Sequence, residues 1–128
     1  MKLNQVTLPV RNMKVVVAFY QTLGFELIVD TPHYARFYCA DGEATFSLAL
    51  EDKLFNNGVT LYFEVEMLDE TVLQLKQKGI QFIQDPVDQP YLWREAVLCD
   101  PSGNKLKLYW AGENRVNPPW RVTAAKGK

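Results

Sequence analysis

An internal repeat constrains the fold of this chain more than any other feature of its sequence. The segment from Val6 to Ile28 aligns without a gap with the segment from Leu61 to Ile83. Apolar positions match along the two copies, and Gly24 matches Gly79. Such a repeat indicates one supersecondary unit that is used twice and that cannot bury its apolar face alone. Because the chain has only 128 residues, we expect a single domain built from two halves.

Each copy of the repeat predicts a strand, a helix that ends at glycine, and a second strand. Between Gln5 and Val10 every second residue is apolar, which is the period of a half-buried strand. Asn12 is the expected N-cap of the first helix, and Gly24 is the expected left-handed residue that ends it. In the second copy, acidic residues in the first helical turn and lysines in the last turn suit the helix dipole.

Two further strands follow each copy, so that each half has the order βαβββ. These strands are predicted at Tyr34–Cys39, Ala44–Leu50, Arg94–Cys99 and Asn104–Trp110. The last two are joined by Asp100-Pro101-Ser102-Gly103, whose residue types are those of a tight turn. One such half covers only one face of its sheet with a helix. The open faces of two halves are expected to form a concave surface that suits a small molecule.

The predicted domain comprises residues 1–112, with half one at 1–52 and half two at 58–112. A turn signal at Asn56-Asn57-Gly58 marks the link between the halves. Residues 113–128 are predicted to form a C-terminal tail, with Ala124–Lys128 frayed at its end. Pro118-Pro119 excludes regular structure in this tail, and we expect Trp120 to dock on the domain or on a partner subunit.

The overall charge and the cysteines narrow the class of protein. The formal net charge is −1, which favours neither nucleic acid nor an anionic membrane as a partner. No apolar run approaches the roughly 18 residues of a membrane-spanning helix, and the first residues do not begin a signal peptide. Cys39 and Cys99 lie in separate strand-like runs and are expected to be free thiols. A cytoplasmic protein is therefore predicted.

Tandem βαβββ halves resemble the vicinal oxygen chelate superfamily, which includes glyoxalase I, extradiol dioxygenases, fosfomycin-resistance transferases and bleomycin-resistance proteins. The best-matching segments are Val6–Val10, Phe19-Tyr20, Leu23-Gly24-Phe25 and Asp100–Leu106. The resemblance covers about residues 1–112. It implies an α+β fold in which two βαβββ modules form a curved, cavity-enclosing mixed sheet, and it implies a homodimer. It does not imply one activity, because the superfamily uses this fold for many chemistries.

The resemblance also implies four positions where metal-dependent members carry metal ligands. In this chain these positions are occupied by Gln5, Ser47, Thr60 and Lys107. Neutral hydroxyls are poor ligands, and the ammonium of Lys107 has no lone pair to offer. Shifting the alignment by one or two residues brings in no His, Asp, Glu or Cys, and the only histidine, His33, lies in a loop. We therefore predict no metal site of the family type and no cofactor, while an unusual site of Glu64 and Gln5 stays open.

The same alignment predicts a ligand-binding surface. Its members are Gln5, Thr7, Ser47, Thr60, Tyr62, Glu64, Trp93, Arg94, Lys107 and Tyr109. The aromatic members would supply flat contact area, with Trp93 and Arg94 in the loop before the seventh strand closing over the cavity. In the alternative interpretation they are ordinary strand residues on a half-exposed face, with Trp93 covering the sheet end. His33, Tyr34 and Arg36 form the comparable stretch of half one.

Lys107 and Glu64 allow three interpretations. In the first, the two residues form a salt bridge across the concave face or are solvated. In the second, Lys107 anchors an anion or a carbonyl group, with Glu64 as a proton acceptor. In the third, burial lowers the pKa of Lys107 and makes it catalytic. The candidate catalytic residues are Glu64, Lys107 and Tyr109.

The leading functional hypothesis is metal-independent binding of a small aromatic or amphipathic molecule, as in bleomycin-resistance proteins. One alternative is a glyoxalase-like lyase or isomerase, or a dioxygenase, with a degenerate or atypical metal site. Two others are metal-free acid–base catalysis and a dimer that serves as a scaffold without a ligand. The expected partners are a small molecule and a second copy of the chain.

Overall fold

The structure is a computed structural model that describes residues 1–52 and 57–122. Its elements are β1 (Gln5–Val10), α1 (Met13–Thr22), β2 (Glu26–Asp30), β3 (Tyr34–Tyr38), β4 (Thr45–Leu50), β5 (Thr60–Glu64), α2 (Leu68–Gln77), β6 (Gln84–Asp88), β7 (Arg94–Cys99), β8 (Lys105–Trp110) and a short 3-10 helix (Gly112–Arg115). The order βαβββ therefore occurs twice, as predicted. The predicted linker turn at Asn56 and the predicted fraying from Ala124 lie outside the described residues. Neither α-helix of the described chain is long and apolar enough to cross a membrane.

The first sheet has the strand order β1-β4-β3-β2, with β1 parallel to β4 and the other pairs antiparallel. Pro9 lies in β1 at the edge of this sheet, where its missing N–H removes no ladder bond. α1 begins at Asn12, whose side chain accepts a hydrogen bond from the N–H of Val15, as predicted for an N-cap. The ring of Tyr20 on α1 lies 5.7 Å from that of Phe37 and 5.0 Å from that of Phe46. These rings form the core between α1 and the sheet.

The second sheet has the order β5-β8-β7-β6, and α2 buries Leu68, Val72 and Leu75. The last strand of the repeat differs from the sequence prediction. In half one β2 begins two residues after Gly24, whereas β6 begins at Gln84, five residues after Gly79. The two helices themselves end alike, because the N–H of Ile80 bonds to the carbonyl of Leu75 as that of Phe25 bonds to the carbonyl of Tyr20. The difference therefore lies in the residues that follow the second helix, 80–83.

The chain divides into two compact units that do not coincide with the two copies of the repeat. The first unit contains residues 1–60 and 99–106, and the second contains residues 61–98 and those from 107 onward. The turn Asp100–Gly103 of half two thus belongs to the same unit as α1. The carboxylate of Asp100 accounts for this grouping, because it binds the hydroxyl of Tyr20 on α1.

Asp100 is buried, with 4 % of its surface exposed, and accepts four hydrogen bonds. Oδ1 accepts from the backbone N–H of Ser102 at 2.8 Å and of Asn104 at 3.0 Å. Oδ2 accepts from the Tyr20 hydroxyl at 2.8 Å and from the Asn104 side-chain amide at 2.9 Å. Four donors offset the cost of burying a carboxylate. Burial and the charge of Asp100 raise the pKa of Tyr20, which stays a neutral donor.

Candidate functional site

Four aromatic side chains form a continuous cluster in the second unit, and we call Tyr62, Tyr91, Trp93 and Tyr109 the aromatic cluster. The rings of Trp93 and Tyr109 are stacked, with centroids 4.5 Å apart and an interplanar angle of 16°. Tyr62 meets both rings edge-on, at 5.8 and 5.7 Å, and Tyr91 meets Trp93 edge-on at 6.1 Å. The predicted aromatic members, Tyr62, Trp93 and Tyr109, are therefore brought together, and Tyr91 joins them.

The two-residue period of β8 places Lys107 and Tyr109 on this face of the sheet. Leu106 and Leu108, which alternate with them, are buried. The Nζ atom of Lys107 lies 5.4 Å from the centre of the Tyr62 ring, within the range of a cation–π contact. Lys107 therefore lies against the aromatic cluster.

Lys107 forms an ion pair with Glu95 of β7. Nζ lies 2.9 Å from Oε2, and the side chains are only 16 % and 3 % exposed. Burial lowers the pKa of Lys107, but the hydrogen bond and the charge of Glu95 outweigh it and leave the pKa above its ordinary value. The low pKa required by the catalytic interpretation of Lys107 is thus not what this environment produces. The second carboxylate oxygen of Glu95 has no hydrogen-bond partner among the described residues.

Glu95 was not identified from the sequence. One of the interpretations considered there paired Lys107 with Glu64, and the structure pairs Lys107 with Glu95 instead. The available signal was the alternation of β7, which places Glu95 on the opposite face from Ala96. Glu64 instead accepts hydrogen bonds on Oε2 from the N–H groups of Ala111 and Gly112, each at 3.1 Å. Its Oε1 lies 3.6 Å from Nε of Arg115. Glu64 therefore holds the start of the C-terminal segment against β5.

The C-terminal segment adds a wall to the aromatic cluster and borders an open pocket of about 330 Å³. The lining residues are Tyr62, Tyr91, Trp93, Asn114, Arg115, Pro118 and Trp120. Trp120 was expected to dock on the domain or on a partner; it lines this pocket while 57 % of it stays exposed. Burial, and next the Glu95 carboxylate, raise the pKa of the Tyr91 hydroxyl. Burial and the charge of Glu64 likewise raise the pKa of Tyr109, which keeps its proton at neutral pH.

Arg94 is oriented differently from the other predicted binding residues. Its Nε and Nη2 donate to the two carboxylate oxygens of Asp69 at 2.9 and 3.0 Å, and its Nη1 donates to Asp88 at 3.1 Å. The hydrogen bonds with Asp69 and Asp88 raise the pKa of Arg94, and the same contact lowers the pKa of Asp69. Arg94 is thus bound by two carboxylates and does not line the pocket beside the aromatic cluster.

The predicted residues of half one lie together on one face of the first sheet. The register pairs Thr7 of β1 and Arg36 of β3 with Ser47 of β4. Nε2 of Gln5 donates to Oγ of Ser47 at 2.7 Å, and also contacts Oγ1 of Thr7 at 3.4 Å. Ser47 is fully buried. Thr60, the remaining predicted residue, is half-buried at the start of β5.

Tyr34 and Arg36 complete this polar face. Oη of Tyr34 lies 2.5 Å from Oγ of Ser47 and accepts a hydrogen bond from Nε of Arg36 at 3.0 Å. The Arg36 guanidinium also lies over the Tyr34 ring, 5.4 Å from its centre. The hydrogen bond with Ser47, and next the one with Arg36, lower the pKa of Tyr34.

These residues do not fit a metal ion at the positions where the resemblance places ligands. Lys107 is an ammonium that is already paired with a carboxylate. Both Gln5 and Ser47 are neutral and hydrogen-bonded to each other. Glu64, the acidic member of the atypical alternative, already binds two backbone amides. Among the described residues there is no group of three or more His, Cys, Asp or Glu that could hold a metal ion.

Comparisons with known proteins agree with the geometry of the fold. The family model of the glyoxalase/bleomycin resistance protein/dioxygenase superfamily matches residues 2–108. No curated protein matches the chain significantly.

Three solved structures illustrate the likeness. A glyoxalase/bleomycin resistance protein/dioxygenase family enzyme from Burkholderia phytofirmans PsJN has 22 % identity and a TM-score of 0.73, over 87 % of this chain and 99 % of that one. A bleomycin-binding protein complexed with bleomycin has 23 % identity and a TM-score of 0.70, over 86 % and 98 %. Lactoylglutathione lyase from Agrobacterium tumefaciens has 16 % identity and a TM-score of 0.71, over 85 % and 92 %. At these identities the likeness is one of fold.

Proposed function

Because this chain belongs to the glyoxalase/bleomycin resistance protein/dioxygenase superfamily, we propose that it binds a small, flat aromatic molecule in the pocket of its second unit without a metal. The observation that carries the proposal is the stacked pair of Trp93 and Tyr109 with Tyr62 edge-on to both. Tyr62, Tyr91 and Trp93 line the pocket, and Tyr109 is buried against Trp93. Because these rings are fixed by one another, a flat ligand gains contact area on the lining rings at little entropic cost. The volume of about 330 Å³ lies within the range of small-molecule sites.

The charges around the pocket indicate what kind of ligand the pocket can bind. Arg115 lies beside Glu64, and Lys107 is paired with Glu95, so each cation has its own carboxylate. A pocket balanced in this way gives no strong preference for an anionic or a cationic ligand. The amide of Asn114 and the guanidinium of Arg115 still offer hydrogen bonds at the rim. The proposed ligand is therefore amphipathic, with an uncharged aromatic part against the cluster.

Binding is favoured over the lyase, isomerase or dioxygenase alternative by the chemistry of the same residues. Those activities in the superfamily need a set of metal ligands, and the side chains at these positions here do not fit one. Metal-free acid–base catalysis by Glu64, Lys107 or Tyr109 is less favoured by this geometry. Glu64 is held by two backbone amides, and a general base at Lys107 or Tyr109 would need a lowered pKa, whereas both pKa values are raised. The homodimer implied by the family resemblance is part of the proposal, and sedimentation of the full chain tests it.

Bleomycin is the first probe, since a bleomycin-binding protein shares the fold. We expect bleomycin, or a member of a panel of flat aromatic compounds, to quench tryptophan fluorescence, with EDTA leaving the affinity unchanged. Replacing Trp93 by alanine removes one stacked ring and should weaken binding at least tenfold, or about 1.4 kcal/mol.

The matched control is Trp110→Ala, which removes a tryptophan of β8 that does not line this pocket. It should leave the affinity unchanged. Equal affinities for the wild type and the Trp93→Ala variant would place the ligand elsewhere. If no compound in the panel binds, the result favours the alternative that the chain is a scaffold without a ligand.

A further inference from the structure

Arg36 is a half-buried cation. Its Nε donates a hydrogen bond to Oη of Tyr34 and its guanidinium lies over the Tyr34 ring, and among the described residues it makes no other hydrogen bond. No described carboxylate forms an ion pair with it, although Lys107, Arg94 and Arg115 each have one. The two Nη groups of an arginine carry four further N–H donors, in a fork that matches the geometry of an oxyanion.

The hydroxyls beside Arg36 have one donor proton to spare. Ser47 accepts from Gln5, and Tyr34 accepts from Arg36. The two hydroxyls carry two protons, and the contact of 2.5 Å between them uses one. The second proton has no acceptor among the described residues. Because Ser47 is fully buried and Tyr34 is half-buried, Tyr34 is the better placed to direct that proton outward.

The second sheet provides an internal comparison for this arrangement. In the second sheet the cation Lys107 of β8 forms an ion pair with the carboxylate of Glu95 on β7. In the first sheet the residue opposite Arg36 is Ser47, a neutral hydroxyl. The first sheet thus presents a cation and a surplus hydroxyl proton where the second sheet supplies its own anion.

We propose that Arg36 and Tyr34, supported by Ser47 and Gln5, form a binding site for an oxyanion group, a carboxylate or a phosphate, on a small ligand. The Nη groups of Arg36 bind two oxygens of the anion, and the Tyr34 hydroxyl donates to one of them. Gln5 and Ser47 hold Tyr34 in place through their hydrogen bonds. This site uses other residues than the aromatic pocket and does not depend on the function proposed for that pocket.

The test is a titration of the full chain with sodium benzoate in one arm and inorganic phosphate in the other, followed by the NMR signal of the Arg36 Nε–H and by calorimetry. We expect saturable binding of at least one anion, and its identity tells a carboxylate from a phosphate. Arg36→Met should weaken binding more than tenfold. Arg36→Lys, which keeps the charge but loses the fork, and Tyr34→Phe should weaken it several-fold.

Arg11→Met is the matched control, since Arg11 is an exposed arginine of the same unit. It should bind like the wild type, and so should Trp93→Ala. Far-UV circular dichroism of each variant verifies folding, and Arg36→Lys keeps the test decisive if Arg36→Met does not fold. Absence of saturable binding in both arms overturns the proposal, as does equal binding by the wild type and either Arg36 variant.

Discussion

The Nζ atom of Lys107 and the Oε2 atom of Glu95 lie 2.9 Å apart between two adjacent strands, and the glutamate is almost completely buried. Removing only the lysine would leave a buried carboxylate without its counter-ion. Removing one partner of such a buried pair lowers the free energy of unfolding much more than replacing both partners by apolar residues.

We therefore predict that Lys107→Met lowers the free energy of unfolding by about 3 kcal/mol. The double variant Lys107→Met/Glu95→Leu should recover most of this loss, because it removes both charges. Urea denaturation of the wild type and the variants measures these differences. Lys105→Met, at an exposed position of the same strand, is the control and should change stability by less than about 0.5 kcal/mol. Equal stabilities of the Lys107 and Lys105 variants would contradict a dependence of Glu95 on its counter-ion.

The hydrogen bond from Tyr20 to Asp100 gives a second prediction. Tyr20→Phe removes one of the four donors to a buried carboxylate, and we expect a loss of about 2 kcal/mol in the free energy of unfolding. Thermal and urea denaturation measure it. Tyr38→Phe, in β3 of the same unit, is the matched control and should be nearly neutral. An effect of Tyr20→Phe as small as that of the control would mean that the remaining donors satisfy Asp100.

Glu64 should control the order of the C-terminal segment. Replacing it by alanine removes the acceptor of the Ala111 and Gly112 amides, worth about 1.5 kcal/mol or more for bonds to a charged group. We predict at least tenfold faster hydrogen exchange of these two amides, together with weaker ligand binding in the pocket that the segment lines. The exposed Glu66→Ala variant should leave both unchanged. If exchange is unaffected in Glu64→Ala, the carboxylate does not hold the segment.

The pKa of Tyr34 can be followed directly. The hydrogen bond with Ser47, and next that with Arg36, stabilise the ionised form and lower its pKa. In a titration followed at 295 nm, Tyr34 should therefore ionise below the usual value of about 10. Tyr34→Phe should remove this early step, and Ser47→Ala should move it to higher pH, while Tyr38→Phe should retain it. An unchanged early step in Tyr34→Phe would assign it to another of the six tyrosines.

The features that sequence could predict are those encoded by nearby residues. The N-cap at Asn12, the turn at Asp100–Gly103 and the face of Lys107 follow from local residue types and from the two-residue period of a strand. The repeat was a poorer guide to β6, because three more residues separate Gly79 from β6 than separate Gly24 from β2, although the two helices end alike. Helix ends and loops tolerate such differences in length between otherwise equivalent halves.

Contacts between residues that lie far apart in the chain could not be predicted, such as those of Glu64 with the amides of Ala111 and Gly112. Glu95 is a different case. Because the predicted turn at Asp100–Gly103 joins β7 to β8, the alternation of these two strands places Glu95 and Lys107 on one face of a hairpin, and this signal was present in the sequence. The 3-10 helix Gly112–Arg115 has no periodic pattern, so the sequence indicated docking of Trp120 but not the path of the segment before it.

The hydrogen bond between Tyr20 and Asp100 has a consequence for how the chain acquires its structure. The acceptor of the Tyr20 hydroxyl is synthesised 80 residues after the tyrosine itself. Until then the core beneath α1 contains a phenol hydroxyl without its native partner, and later the carboxylate can be buried only where that phenol is already in place. We therefore expect the first half of the repeat to complete its core only after the Asp100 turn has been synthesised, which couples the folding of the two halves.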